Sequence, residues 1–269
     1  MTFPNAIWFL LIICAVCSSI GFIKFIYFIS VGYGFAITGA GVFLMIYYWN
    51  QMSLVIALQC MVLIIYGVRL GGYLLIRDLK SYTYHKTIKD STKDHTYKPF
   101  LSKVMIWICV SILYVMQVSP ICYRLANHDS ASLLSYISLV IMIGGVVLEA
   151  VGDMQKSKAK VKNPNRFCDK GVYRFVRCPN YLGEILFWTG VFVSGFDTFV
   201  GVGQWGIAIA GYLMIFYIML SGAKRIEERQ DKNYGKNQEY QVYKENTPIL
   251  IPMIPVYSLK DCDWIISGL

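Results

Sequence analysis

The sequence has few charged residues and very few histidines. Only 15% of the 269 residues are charged, whereas 56% are hydrophobic, and these lie in long uninterrupted runs. A soluble domain of this length rarely has such a composition. The histidines His85, His95 and His128 lack the spacing of metal ligands. We therefore expect a membrane protein without a metal site.

Familiar catalytic signatures are also missing. The sequence contains no Walker loop, no G-x-G-x-x-G motif after a strand and no H-E-x-x-H motif. These absences remove the usual sequence support for a P-loop nucleotidase, a Rossmann domain or a zinc protease. Several of the eight cysteines, such as Cys14 and Cys60, lie within apolar runs. We predict no disulfide framework.

Long apolar runs are what the sequence has instead. A helix needs about 20 mainly apolar residues to cross the bilayer core. We predict an all-α, polytopic membrane protein with about seven transmembrane helices, cytosolic loops and a C-terminal cap, forming one membrane domain over residues 1–269. The predicted spans lie near residues 4–23, 31–49, 52–76, 101–121, 133–152, 182–200 and 203–221.

The net charge of +9 is distributed in alternate loops. Lysine and arginine cluster in 77–103, in 153–181 and after Lys224, whereas the intervening loops contain only Arg124. The positive-inside rule places both basic loops and the C-terminus in the cytosol. This pattern indicates membrane lipids as partners and argues against nucleic acid. The endoplasmic reticulum is the default compartment, and mitochondrial or bacterial inner membranes fit the same charges.

The segment 148–190 combines charges with helix-start signals. Asp153 and Lys160 are seven residues apart and share a helix face. Pro179 suits a first helical turn, and Asn180 and Glu184 follow at i, i+4 spacing beside Arg177. Such a set offers cations to phosphates, and an amide and a carboxylate to ribose hydroxyls. The alternative is a basic loop that contacts anionic lipid.

A polar stripe in the third predicted span is a second candidate site. Tyr66, Arg69, Tyr73 and Arg77 recur at helical spacing, and a charge inside a span is costly unless it is paired or hydrated. The alternative is a structural stripe that faces other helices. In the tail, Tyr240 and Tyr243 share a helix face before a proline-rich apolar segment, which suits either a cap or an interfacial helix.

These motifs resemble the steroid 5α-reductase C-terminal family, and most closely its uncharacterised branch, domain of unknown function 1295. The pattern includes Tyr66 to Arg77, Asp153, Gly171-x-Tyr173, Arg177-x-Pro-Asn180-Tyr-x-Gly183-Glu184 and Tyr240-x-x-Tyr243. The resemblance implies NADPH bound by residues 122–269 and an apolar sterol or lipid substrate near residues 1–121. It implies Tyr66 as the proton donor, a substrate-side stripe of Arg69 and Tyr73, and cofactor contacts at Asp153, Lys160, Arg177, Asn180, Glu184 and Tyr243.

Two departures from the family pattern keep other functions open. The reductases pair their tyrosine with a carboxylate on the second span, but this chain has Ser30-Val-Gly-Tyr33 there. Many relatives also have histidine where this chain has Cys178. Two alternatives to an oxidoreductase are therefore kept. One is a catalytically silent, lipid-binding or accessory subunit of a membrane complex with no cofactor, and the other is an S-adenosylmethionine-dependent methyltransferase.

Overall fold

The chain is mainly helical in the part that the structure describes. The structure is a computed structural model that describes residues 3–80, 99–127 and 131–266. The three histidines and most of the first basic loop lie outside these residues. No strand occurs among the described residues, which confirms the all-α prediction. The helices are α1 (Ala6–Ser18), α2 (Val31–Tyr47), α3 (Leu54–Lys80), α4 (Phe100–Asn127), α5 (Leu133–Lys162), α6 (Pro179–Gly195), α7 (Gly201–Tyr234) and α8 (Gln238–Asn246).

Five helical stretches are long and apolar enough to cross a membrane. They contain or coincide with α2, α3, α4, α5 and α7. The predicted count of seven is not confirmed, because α1 has 13 residues and α6 has 17. At 1.5 Å per residue these two helices are about 20 and 25 Å long, which is shorter than a hydrocarbon core of about 30 Å.

Two helices continue far beyond their apolar sequence. The predicted spans end near residues 152 and 221, whereas α5 continues to Lys162 and α7 to Tyr234. Hydropathy marks only the apolar part of a helix, and lysine, arginine and glutamate are good helix formers that prolong it. Pro164 then limits α5. Both extensions carry charged side chains on regular helix.

The described chain forms two compact units, each made from two stretches of sequence. The first unit comprises Met1–Leu139 and Val191–Gly211. The second unit, here called the C-terminal unit, comprises Val140–Gly190 and Tyr212–Leu269. This division does not follow sequence order, because α5, α6 and α7 each contribute to both units.

In the first unit, α2 and α3 cross at backbone contact. A Cβ atom placed on Gly67 would lie 2.4 Å from the Gly34 carbonyl oxygen, and one placed on Gly34 would lie 2.5 Å from the Gly71 nitrogen. Larger side chains at these positions would force the helices apart. The glycines therefore fix how the side chains next to them meet.

Two ion pairs lie in the described part of the first unit. Lys24 Nζ lies 2.6 Å from the buried carboxylate of Asp78, and this hydrogen bond raises the pKa of Lys24. Arg124 is fully buried and donates to Asp197 and to the Ser194 carbonyl oxygen. Arg124, the single basic residue that the sequence places between the basic loops, is thus part of the protein interior.

In the C-terminal unit, α5 and α6 also cross through glycines. A Cβ atom on Gly183 would lie 2.6 Å from the Glu149 nitrogen, and one on Gly145 would lie 2.5 Å from the Phe187 nitrogen. Glu149 and Glu184 are both buried near this crossing. The close approach brings the end of α5 beside the start of α6, where the sequence predicts cofactor contacts.

Candidate functional site

A basic cavity lies in the C-terminal unit. It has a volume of about 260 Å³. Within the described residues its wall contains three cationic side chains and no carboxylate. The wall consists of Lys156, Lys160, Phe167, Cys168, Tyr173, Arg229, Gln230, Asn233 and Tyr234. A concave site of this charge attracts anions, because converging cations raise the local positive potential.

Regular helix places the three cations together. Lys156 and Lys160 are four residues apart on the charged extension of α5, so that they share one face. Arg229 is supplied by the corresponding extension of α7. These positions exist because both helices continue beyond their apolar parts. Gln230 and Asn233, next to Arg229 on α7, add neutral hydrogen-bonding groups to the same wall.

Lys160 is held in place by neutral oxygen atoms. Its Nζ donates to the carbonyl oxygens of Pro164 and Arg166, at 2.9 Å each, and to the Tyr234 hydroxyl. An ammonium group has three protons, so these bonds use its full donor capacity. No carboxylate of the described chain forms an ion pair with Lys160. Its charge is oriented but not neutralised.

Tyr173 brings an unsatisfied hydroxyl to the cavity wall. Its side chain is only 2% exposed, and the hydroxyl has no hydrogen-bond partner among the described residues. Burial raises the pKa of Tyr173, so that the phenol stays protonated at neutral pH. A buried donor without a partner costs about 1–3 kcal/mol. A bound oxygen-rich ligand would remove that cost.

Tyr243 supports this wall from behind. Its hydroxyl donates to the Tyr173 carbonyl oxygen at 2.6 Å, and its ring stacks on Phe167 with centroids 5.3 Å apart. Burial raises the pKa of Tyr243 as well. The predicted cofactor residue Tyr243 therefore holds two wall residues, Phe167 and Tyr173, and is not itself part of the wall.

Arg177 lies in a buried ion pair. Its Nη2 is 3.0 Å from Glu227 Oε1 and also donates to the Tyr257 carbonyl oxygen. Its Nε and Nη1 have no hydrogen-bond partner among the described residues. Lys244 Nζ is 3.4 Å from the same Glu227 oxygen. Arg177 thus joins α7 to the C-terminal tail, and it is not part of the cavity wall.

The remaining predicted contacts lie at the α5–α6 crossing. A Cβ atom on Gly152, next to Asp153, would lie 3.3 Å from the Asn180 nitrogen. Glu184 is buried, whereas Asp153 and Asn180 are half-buried. The structure therefore brings Asp153, Asn180 and Glu184 to one helix crossing. Of the six predicted cofactor residues, Lys160 alone belongs to the cavity wall.

Most residues of the cavity wall are not among the predicted cofactor contacts. Lys156 was one of many loop lysines, and only the continuation of α5 shows that it shares a face with Lys160. Arg229, Gln230 and Asn233 lie beyond the predicted end of the last span. A sequence signal did exist, since Lys156 and Lys160 have i, i+4 spacing.

The predicted catalytic tyrosine lies in the first unit. Tyr66 is fully buried on α3, and its hydroxyl is 3.0 Å from the Tyr33 hydroxyl on α2. The Gly34–Gly67 crossing lies beside this pair and permits the short distance. A phenol therefore contacts Tyr66, whereas the reductase pattern has a carboxylate on the second span. Ser30 instead donates to the Ile26 carbonyl oxygen at 2.8 Å.

The polar stripe that is predicted to face the substrate is half-buried along α3. Arg69, Tyr73 and Arg77 are each partly exposed. The Arg77 guanidinium carbon lies 5.4 Å from the centroid of the Tyr73 ring, which is a cation–π distance. Arg77 and Tyr73 thus contact each other at the charged end of α3.

Comparison with known proteins identifies one family. Residues 14–247 match the family described as "Protein of unknown function (DUF1295)". This range includes every predicted site residue, and it confirms the resemblance to domain of unknown function 1295. The wider resemblance to the steroid 5α-reductases stays a prediction. No curated protein and no solved structure matches the chain.

Proposed function

Since the chain belongs to the DUF1295 family, whose function is unknown, we propose a function from the chemistry of its own residues. The proposed function is the NADPH-dependent reduction of a carbon–carbon double bond in a sterol or other lipid. The enzyme is an oxidoreductase that takes its apolar substrate from the membrane. The steroid 5α-reductase resemblance of Tyr66, Asp153, Asn180, Glu184 and Tyr243 supports the reaction type.

The observation that carries the proposal is the basic cavity. Three cations, a buried phenol without a partner and the aromatic ring of Phe167 suit a phosphate-bearing nucleotide. Arginine binds phosphate through charge-assisted hydrogen bonds, which Arg229 can donate. Lys160, whose three protons are already used, contributes its positive charge. Sites for drug-sized ligands have volumes of about 300–1,000 Å³, so a cavity of about 260 Å³ suits part of a dinucleotide. We assign it to a phosphate-bearing part, with Asp153, Asn180 and Glu184 at the neighbouring helix crossing as further contacts.

The reaction needs a hydride and a proton. When bound, NADPH supplies the hydride to the β-carbon of an enone, and the double bond becomes a single bond. Tyr66 donates its phenolic proton toward the carbonyl oxygen as the general acid, and the Tyr33 hydroxyl hydrogen-bonds to it. The product of these two transfers is an enol. A proton from water then adds to its α-carbon while its hydroxyl proton returns to Tyr66, which gives the saturated ketone and restores the tyrosine pair.

The proposed arrangement in the membrane follows the charges. We place the C-terminal unit's basic segments in the cytosol, and we count α1 and α6 as additional crossings to give seven. The endoplasmic reticulum is the proposed compartment. Arg124, which this arrangement places on the side opposite the cytosol, is buried and paired with Asp197. It therefore adds no exposed positive charge to that side.

Two other functions compete with this proposal. The lack of a carboxylate in the sequence stretch Ser30-Val-Gly-Tyr33 favours a catalytically silent accessory subunit, whereas the Tyr33–Tyr66 contact favours a retained hydroxyl donor. A methyltransferase would bind S-adenosylmethionine, which carries a sulfonium cation and no phosphate. The cationic cavity therefore favours NADPH over S-adenosylmethionine.

Ligand binding followed by turnover tests the proposal. Detergent-purified protein should bind NADPH more tightly than S-adenosylmethionine, as measured by titration calorimetry. Tyr66→Phe should abolish reduction of enone lipids while NADPH affinity stays unchanged, and Tyr47→Phe serves as the control. Binding of S-adenosylmethionine alone would contradict the proposal, as would binding of neither ligand. Unchanged turnover in Tyr66→Phe would reject the proton-donor role.

A further inference from the structure

The C-terminal segment, residues 259–266, lies along α7 and runs from the level of Glu227 toward that of Tyr217. The Leu259 nitrogen donates to Glu227 Oε2 at 2.9 Å, and Lys224 Nζ donates to the carbonyl oxygens of Cys262 and Ile265 at 3.0 and 3.1 Å. Farther along, Ile266 donates to the Tyr217 hydroxyl at 3.2 Å. As the segment proceeds, its partners move ten residues toward the start of α7, or about 15 Å.

This direction leads into the apolar part of α7. Residues 201–223 contain no charged side chain, and Lys224 is the first charged residue of the helix. At 1.5 Å per residue, 201–223 spans about 35 Å, enough for the hydrocarbon core. Tyr217 lies seven residues, about 10 Å, before Lys224. Helical side chains lean toward the helix N-terminus, so the Tyr217 hydroxyl lies deeper still.

The side chains of the segment divide into two faces. Leu259 and Ile265 are buried against the C-terminal unit, at 4% and 2% exposure. Trp264 and Ile266 are largely exposed, at 65% and 60%, and the Trp264 ring keeps one contact with the Tyr217 ring, at a centroid distance of 6.4 Å. Large apolar side chains exposed beside a spanning helix suit lipid, and tryptophan favours the membrane interface.

Three backbone polar groups at this depth bond to hydroxyl groups of α7. Tyr217 donates to the Trp264 carbonyl oxygen at 3.2 Å and accepts from the Ile266 nitrogen, and Ser221 Oγ donates to the Ile266 carbonyl oxygen. Irregular backbone is tolerated at membrane depth only where its polar groups find protein partners. These hydroxyls meet that requirement.

We infer that the end of the C-terminal segment re-enters the bilayer from the side at which α7 ends, with Trp264 and Ile266 in contact with lipid acyl chains. The exposed charges of Lys260, Asp261 and Asp263 stay at the level of the headgroups. The bilayer covers the exposed face formed by Trp264 and Ile266, because the segment continues along a spanning helix toward its charge-free residues. The inference does not depend on the reaction proposed above. Lys224, only 8% exposed and bound to two carbonyl oxygens, anchors the segment at the membrane boundary.

Photo-crosslinking of the wild-type protein tests this inference. The protein is reconstituted in phosphatidylcholine nanodiscs containing a lipid with a diazirine in its acyl chain. Trypsin cleaves after Lys260 and releases residues 261–269, in which Trp264 can be examined for lipid adducts by mass spectrometry. We expect adducts on Trp264 or Ile266 and none on the tryptic peptide that contains Tyr234. Equal labelling of both peptides, or none on 261–269, would overturn the inference.

Tryptophan fluorescence gives a second readout. The difference between wild type and Trp264→Phe isolates the Trp264 signal, which brominated acyl chains should largely quench and aqueous iodide should not. Lys260→Trp in the Trp264→Phe background is the matched control, because Lys260 is next to Leu259 at the level of Glu227, and we expect the opposite quenching pattern. Iodide quenching of Trp264 as strong as in the control would contradict lipid contact. Resistance to both quenchers would indicate a protein partner and would also contradict it.

Discussion

Two arginines in the C-terminal unit occupy different kinds of position. Arg177 is buried and pairs with Glu227, whereas Arg229 is exposed on the cavity wall. A buried pair costs several kcal/mol to break from one side, because the remaining charge loses its partner. An exposed cation contributes little to folding but can bind an anionic ligand. We therefore expect Arg177 to affect mainly the stability of the fold and Arg229 to affect mainly ligand binding.

Arg177→Ala should lower the melting temperature by about 10 °C, because losing the Glu227 partner costs roughly 3 kcal/mol. Lys244 remains near Glu227 and limits the loss. Arg229→Ala should leave the melting temperature nearly unchanged and weaken NADPH binding about tenfold through one lost charge-assisted bond. Thermal unfolding in detergent and NADPH titration measure the two effects. Equal destabilisation by both variants would contradict this separation.

The sequence allowed some of these residues to be predicted and not others. Lys160 and Tyr243 follow from the family resemblance, and the structure places Lys160 on the wall and Tyr243 behind it. Arg229 could not be predicted, because hydropathy gives no sign that α7 continues as helix to Tyr234. Tyr33 could not be paired with Tyr66 from sequence, because their contact depends on how α2 and α3 cross. Local patterns give helices, but long-range packing decides which side chains meet.

Glycine residues allow two pairs of helices to cross at backbone contact. Gly34 and Gly67 bring α2 against α3 beside the Tyr33–Tyr66 pair, and Gly145 and Gly183 bring α5 against α6. Small residues allow close backbone approach between membrane helices. The hydropathy of these helices predicted their existence well, but their crossings depend on three-dimensional packing that hydropathy does not encode.

Gly67→Ala should destabilise the first unit, because its Cβ atom would lie 2.4 Å from the Gly34 carbonyl oxygen. Overpacking of this kind costs about 1–3 kcal/mol. Gly72→Ala on the same helix is the control, since no heavy atom lies within 4 Å of its Cβ position. The control should keep or slightly raise the melting temperature, because alanine favours helix. A control as unstable as Gly67→Ala would show that the crossing is not responsible.

The whole molecule combines an apolar helical body with a basic C-terminal unit. Five helical stretches can cross a membrane, and the charged extensions of α5 and α7 form the cavity. Composition alone predicted the all-α membrane class. It could not give the division into two units, because each unit takes residues from distant parts of the sequence. The proposed function depends most on the binding of NADPH in the cavity of the C-terminal unit.

Cysteine alkylation is the most direct measurement of that binding, because Cys168 lines the cavity. Burial raises the pKa of this thiol, so the reaction with maleimide should be run at mildly alkaline pH, where more thiolate is present. Saturating NADPH should slow modification of Cys168 at least about tenfold, since a ligand that fills a site blocks access to its wall. Cys262, which is half-buried in the same unit but outside the wall, should react at an unchanged rate. Equal modification of Cys168 with and without NADPH would contradict the proposed binding.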